Sequence, residues 1–245
     1  MIRRMQLRLP DLVTIPGGSF VHGSTAAQIV AAAAQFGLPD DAFQDELPQQ
    51  MLTFATFAIS RAPITCAEYQ QFVVATDHTP PAYWPDDPPE ALRDHPVVGV
   101  SRDDARAFCR WLSTATQRAL RLPSEAEWEC AARGTDQRVF PWGDEWQADG
   151  CNTTEAGRGG TVAVGSFAHD RSQSGCVDMA GNVAEWTSDR YQPYPGGTVA
   201  TPARAVARGG HWAAGAELAR STRRQPSDGA ANAYTGFRIV CDDDE

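Results

Sequence analysis

Glycine and proline punctuate this chain so often that long regular elements have little room to form: 21 Gly and 17 Pro are spread over 245 residues. Proline fixes φ and removes a backbone donor, while glycine favours turns. The chain must therefore be assembled from short strands, a few well-capped helices and much irregular loop. Residues 24–38, "STAAQIVAAAAQFGL", read as an Ala-rich helix capped by Ser24 and stopped near Gly37. Thr65 and Glu68 form a capping box before "CAEYQQFVVAT", in which Tyr69, Phe72 and Val73 share one face. Ser101 opens "RDDARAFCRWLSTAT", with Ala105, Phe108, Cys109 and Leu112 at helical spacing. Ser124 and Glu127 make a further capping box for "EAEWECAARG", and Gly134 ends it.

Between these helices, "LVTIPGGSFVHGS" predicts a hairpin turning at Pro16-Gly17-Gly18, and "FAISRAPI" a strand. Residues 77–97 are too proline-rich for either and read as a surface loop pinned by Tyr83 and Trp84. The paired acids Asp86-Asp87 and Asp103-Asp104 lie on that loop and on a helix start, where solvated faces are expected. After Gly134 loops and short strands dominate, a length of irregular chain that points to function or bound ions. "YTGFRIVC" closes the chain as an alternating strand with Phe237, Ile239 and Cys241 on one face. With no repeat and no linker, the expectation is one α+β domain over residues 1–245, its core at about 12–241 and an acidic tail at 242–245.

Charge and cysteine usage narrow the function. A net charge of −10 opposes a general binder of nucleic-acid backbone, so no nucleic-acid partner is expected. No window approaches the roughly 18 apolar residues of a membrane span, and the start, with Arg3, Arg4 and Arg8, has no apolar signal core. A cytoplasmic chain without a membrane partner is the expectation. The six cysteines (Cys66, Cys109, Cys130, Cys151, Cys176, Cys241) include no Cys-x-x-Cys pair, which argues against a zinc site and for small buried hydrophobes.

Seven stretches, in order, carry a resemblance: "IPGGSFVHGS", "HPVVGVSRDDARAFCRWL", "RLPSEAEWECAARG", "FPWGDE", "GCVDMAGNVAEWTSD", "RGGHW" and "GFRIV". Together they resemble the formylglycine-generating enzyme (sulfatase-modifying factor) family over roughly residues 12–241. The resemblance implies a C-type-lectin-like fold of small twisted antiparallel sheets, flanking helices and abundant loop. It also implies structural calcium. Asn182, the Val183 carbonyl and Glu185 carry over as one ligand set, and Asn152, the Thr153 carbonyl and Glu155 as a second. In the second set the family's aspartate falls near Ala156, so Glu155 serves only after a change of register. Calcium takes several oxygen ligands, which these residue types supply. The competing reading is that Asn182 and Glu185 satisfy loop backbone groups.

The resembling enzyme oxidises a substrate cysteine with copper and O₂, using two cysteines just after its "RGG" element. Those positions fall here on Ala214 and Ala219, and the family's serine falls on His211. An alanine methyl can neither ligate copper nor exchange with a disulfide. No copper and no catalytic residue are expected from this alignment. The five histidines are scattered, so a divergent metal-dependent oxidase would have to be built around His211, and a maturation factor is the other alternative.

A binding surface is the preferred reading. The family resemblance includes a non-catalytic branch, among it the variable proteins of diversity-generating retroelements, whose segment between "RGG-x-W" and "GFR" varies. Here that frame is kept by Gly209, Gly210, Trp212, Glu217, Arg220, Ser221, Gly236, Phe237 and Arg238. The expected contact residues are His211, Trp212, Ala213, Ala214, Gly215, Leu218, Arg223, Gln225, Asn232 and Tyr234, facing a protein or small ligand. Ordinary bacterial relatives end in the same way, so the frame alone does not decide whether residues 208–240 are diversified. Aromatic and Arg side chains among small neighbours suit an interface.

Overall fold

The computed structural model describes residues 7–84, 88, 90–199 and 201–242. The start with Arg3 and Arg4, the Asp86-Asp87 pair and tail residues 243–245 lie outside them. The elements run β1 (Leu12–Ile15), β2 (Gly18–His22), α1 (Ala26–Phe36), β3 (Gln50–Phe54), β4 (Phe57–Ser60), α2 (Cys66–Thr76), α3 (Arg102–Thr116), β5 (Leu120–Arg121) and α4 (Glu125–Arg133). Then follow β6 (Ala184–Trp186), β7 (Ala205–Arg208), β8 (Arg224–Ser227), β9 (Thr235–Gly236) and β10 (Val240–Asp242). About fifty residues separate α4 from β6, held by turns rather than ladders.

Three helix starts follow the expected chemistry. Thr65, Ser101 and Ser124 each accept from the amide three residues on, and Glu68, Asp104 and Glu127 reciprocate. The first helix is a correction: its cap is Thr25, paired with Gln28, and not Ser24. Ser24 is buried and donates its hydroxyl to Glu46 at 2.8 Å, so it ties α1 to the segment that follows it.

The expected β1–β2 hairpin is also absent. β1 pairs with β4 and β2 with β3, both antiparallel. The reason lies in the link Pro16-Gly17. Two-residue hairpin loops of types I′ and II′ need positive φ at their first position, and proline is locked near −65°. The chain crosses over instead, and Gly17 passes so near β3 and β4 that an added Cβ would stand 2.8 Å from the Thr56 nitrogen.

Sheet order is β1-β4-β10-β5 in one sheet and β8-β7-β6-β9 in another, with β2-β3 as a separate pair. β6 and β9 are parallel; the other pairings are antiparallel. Both faces of the closing segment are buried. Phe237, Ile239 and Cys241 enter the core built by α2 and α3, while Val240 enters a second core with Phe20, Ile59 and Trp128. Asp242, the first residue of the expected acidic tail, belongs to β10 and pairs with Arg121 at 2.6 Å. In the proline-rich loop Trp84 is buried, whereas Tyr83 is exposed and lies across Gly99. All six cysteines are buried. Among the described residues no helix is long and apolar enough to cross a membrane.

Candidate functional site

The segment after β7 is positioned by two glycines that permit close approach. A Cβ on Gly209, at φ +78°, would meet the Trp128 ring at 3.0 Å; one on Gly210 would meet the Ala180 carbonyl oxygen at 2.5 Å. The chain then turns: the Ala214 amide donates to the His211 carbonyl at 2.9 Å, and the Trp212 amide to the Asn182 carbonyl at 3.1 Å. The Thr154 amide donates to the Ala214 carbonyl at 2.9 Å, which pins the turn to the loop at 152–156.

An aromatic cluster stands on this turn. The ring centroids of His211 and Tyr234 are 4.9 Å apart, and those of Trp212 and Tyr234 5.4 Å. Tyr234 is 41% exposed and is the outward member. The Ala213 amide donates to His211 Nδ1 at 3.3 Å, which leaves the proton of a neutral ring on Nε2. Burial pushes the His211 pKa down to about 4, so the ring is neutral at physiological pH. The edge offers one N–H donor and no fixed charge. Ala213, Gly215 and Leu218 are half-buried around it.

Several expected contact residues are committed elsewhere. Ala214 is only 5% exposed, so its methyl is not part of an outer face. Arg223 pairs with Asp45 at 3.1 Å and lies over the Phe43 ring. Gln225 Nε2 donates to the Gly209 carbonyl, bracing the two-glycine turn. Asn232 Oδ1 accepts from the Tyr234 amide at 2.9 Å, an Asx turn that presents the tyrosine. His211, Trp212, Ala213, Gly215, Leu218, Arg223, Gln225 and Asn232 are half-buried, and Tyr234 is exposed.

Ala219 is fully buried, packed with Phe140, Cys151 and Ala180. The fold thus brings a cysteine distant in sequence to the second thiol position, which spacing could not show. Cys151 is itself fully buried, and burial with nearby Asp170 pushes its thiol pKa far up, so it is a protonated packing group.

The calcium sets do not form cages. Glu185 is fully buried, and both its oxygens are held by Arg238 at 2.6 and 2.7 Å, with the Trp128 indole N–H at 2.7 Å. Asn182 Oδ1 accepts from Asn152 and the Val162 amide, while its Nδ2 donates to the Val162 carbonyl at 3.1 Å. Val183 is buried beside it, its amide bonded to the Gly181 carbonyl. This is the backbone-satisfying role that competed with calcium in the sequence. In the second set Asn152 Oδ1 has no hydrogen-bond partner, but the Thr153 backbone is folded into the following turn. Glu155 accepts from the Ala216 amide at 2.9 Å and from the Thr154 hydroxyl at 3.2 Å. Thr153 Oγ1 is likewise without a hydrogen-bond partner, so this set holds two unpaired oxygens against the six to eight that calcium takes. Among the described residues no group of three His, Cys, Asp or Glu side chains is arranged to hold a metal.

Beneath the face lies an ion network that the sequence did not reveal. Arg208, fully buried, donates to Glu129 at 2.7 Å and Glu125 at 3.1 Å. Arg224 grips both oxygens of Glu125 at 2.7 Å, and Arg220 grips Glu46 at 2.8 and 2.9 Å over the Phe43 ring. Burial disfavours a charged Glu129, yet His22, Arg208 and Arg133 outweigh it and hold its pKa near about 2. The available signal was the density of arginines in "RSTRR" beside glutamates inside a capped helix.

Comparison with known proteins agrees with this geometry. Residues 1–243 match the sulfatase-modifying factor enzyme 1-like domain, and the chain belongs to that family. The formylglycine-generating enzyme of Mycobacterium tuberculosis is 28% identical, across 96% of this chain and 98% of that protein. The mouse protein named inactive C-alpha-formylglycine-generating enzyme 2 is 29% identical, across 75% of this chain and 70% of its own. Among solved structures, Treponema denticola variable protein 1 superposes with a TM-score of 0.75 at 20% identity, covering 94% of each chain. The fold is therefore the α+β, C-type-lectin-like one expected from the motifs.

Proposed function

We propose that this protein is a non-catalytic binding module of its family, displaying the His211–Tyr234 aromatic face to a peptide or small ligand in the cytoplasm. One observation carries the reading: alanines at 214 and 219 stand where the family's reactive thiols belong, on a backbone frame that is otherwise kept. The nearby Cys151 supplies no thiolate. A relative named inactive supports the existence of such a branch. A metal-dependent oxidase around His211 lacks companion ligands, since its imidazole neighbours are Tyr234 and the Ala213 amide. Variation of residues 208–240 by a retroelement belongs to the same reading and fits a face built on turns.

The test is selection from a random displayed-peptide library, followed by affinity measurement against variants. Tyr234→Ala removes the most exposed ring; loss of an interface hot spot of about 2 kcal/mol or more weakens binding more than tenfold. Met51→Ala, which removes an exposed apolar side chain from the β2–β3 pair, should leave affinity unchanged. Selected peptides that bind wild type and Tyr234→Ala equally well would remove this face from the account.

A further inference from the structure

A cavity of about 260 Å³ opens where the first turn of α3 meets the loops at 190, 204 and 228. Its charged walls are Arg102, Arg106, Arg190 and Arg204 against Asp103 and Asp228. Four guanidinium groups face two carboxylates in a chain whose net charge is −10. Such a concentration of like charge is costly unless something compensates it.

The protein compensates only part. Arg102 donates to the Asp189 carbonyl at 2.6 Å and Arg106 to the Ser188 carbonyl at 3.1 Å, which fixes both side chains against the 188–190 loop. Arg106 touches Asp103 at 3.4 Å, but that carboxylate is 89% exposed and the pair is worth little. Asp228 is turned to its own loop, accepting from the Ala230 amide at 2.8 Å. Arg190 and Arg204 make no hydrogen bond or ion pair among the described residues. Burial, and the charges of Arg106 and Arg190, lower the Arg102 pKa, so the mutual repulsion is felt inside the cluster.

We infer that this cavity is a binding site for a tetrahedral dianion, the phosphate group of a small monoester. The lining side chains carry a positive surplus of two, offset in part by Asp189 beside Arg102, and a phosphate group answers it. Planar guanidinium forks suit tetrahedral oxyanions, and two of the four are pre-positioned by backbone carbonyls. The volume is smaller than the roughly 300–1,000 Å³ of drug-sized ligand sites, which fits a headgroup with a short substituent. This inference is independent of the aromatic face and stands or falls without it.

The test is calorimetric titration of the full chain with inorganic phosphate, inorganic sulfate, methyl phosphate and methyl sulfate, with chloride at matched ionic strength. Saturable one-to-one binding of a divalent oxyanion, but not chloride, is expected. Removing two charge-assisted donors in Arg190→Ala/Arg204→Ala should weaken it by more than tenfold. The control Arg110→Ala/Arg118→Ala removes the same charge from exposed positions outside the cavity and should retain the affinity. Methyl phosphate should bind more tightly than methyl sulfate, which carries a single negative charge; the reverse order would overturn the dianion assignment. Non-saturating binding, or equal loss in both double variants, would overturn the inference by reducing it to overall charge.

Discussion

Asp170 shows how far a single residue can depart from its behaviour in water. It is fully buried and accepts from the Met179 and Ala180 amides at 3.1 and 3.2 Å. Burial, reinforced by the neighbouring charge of Asp178, pushes its pKa from 3.8 to about 8. The native state therefore keeps a proton that the unfolded chain has already released between those pH values. Stability contributed by this group is present below about pH 4 and is lost as pH rises through about 8. Asp170→Asn retains an acceptor oxygen and removes the titration. Its melting temperature should gain on wild type as pH rises from about 4 to about 8; parallel curves would contradict the assignment. Sequence alone could not flag this carboxyl, because an aspartate in a Gly- and Ser-rich loop is ordinarily solvated. The same limit applies to Glu185, whose partner Arg238 lies 53 positions away and answers its charge inside the core.

At the scale of elements, what was legible was local. Capping boxes act over three residues, and the spacing of Ala105, Phe108, Cys109 and Leu112 names the buried face of α3 directly. What was not legible was strand pairing. Apolar runs in β1 and β2 announce strands, yet their partners are β4 and β3, chosen by the shape of the Pro16-Gly17 link and by a common core. The link gives a sharp prediction. In Gly17→Ala the added methyl meets the Thr56 nitrogen, the Phe54 carbonyl oxygen and the Ala55 carbonyl carbon at 2.8–3.1 Å, all backbone atoms that cannot step aside. A loss of about 1–3 kcal/mol is expected by denaturant unfolding, as for other overpacked sites. A neutral result would mean that β1 and β3 are not held in this crossing.

Across the whole molecule, the C-terminal segment is a loop secured from behind. Arg220 reaches Glu46 across 174 positions, Arg224 reaches Glu125 across 99, and Arg208 joins Glu125 and Glu129 of α4. Buried arginines of this kind fix a surface in place, which suits display at least as well as chemistry. The motif order made the family and its fold readable, because those motifs are turns and caps whose residues act locally. The internal partners of the outer residues were not readable: Arg223 pairs with Asp45, Gln225 donates to the Gly209 carbonyl and Asn232 accepts from the Tyr234 amide. The central claim is that a family frame has here lost, or never had, its thiol chemistry. Titration of the intact protein with Cu(I) against a chromophoric chelator, with oxygen uptake followed in the presence of a cysteine peptide, tests it most directly. No tight stoichiometric Cu(I) binding and no thiol-dependent oxygen uptake above buffer are expected. Stoichiometric Cu(I) binding that disappears in His211→Ala, accompanied by oxygen uptake, would contradict it.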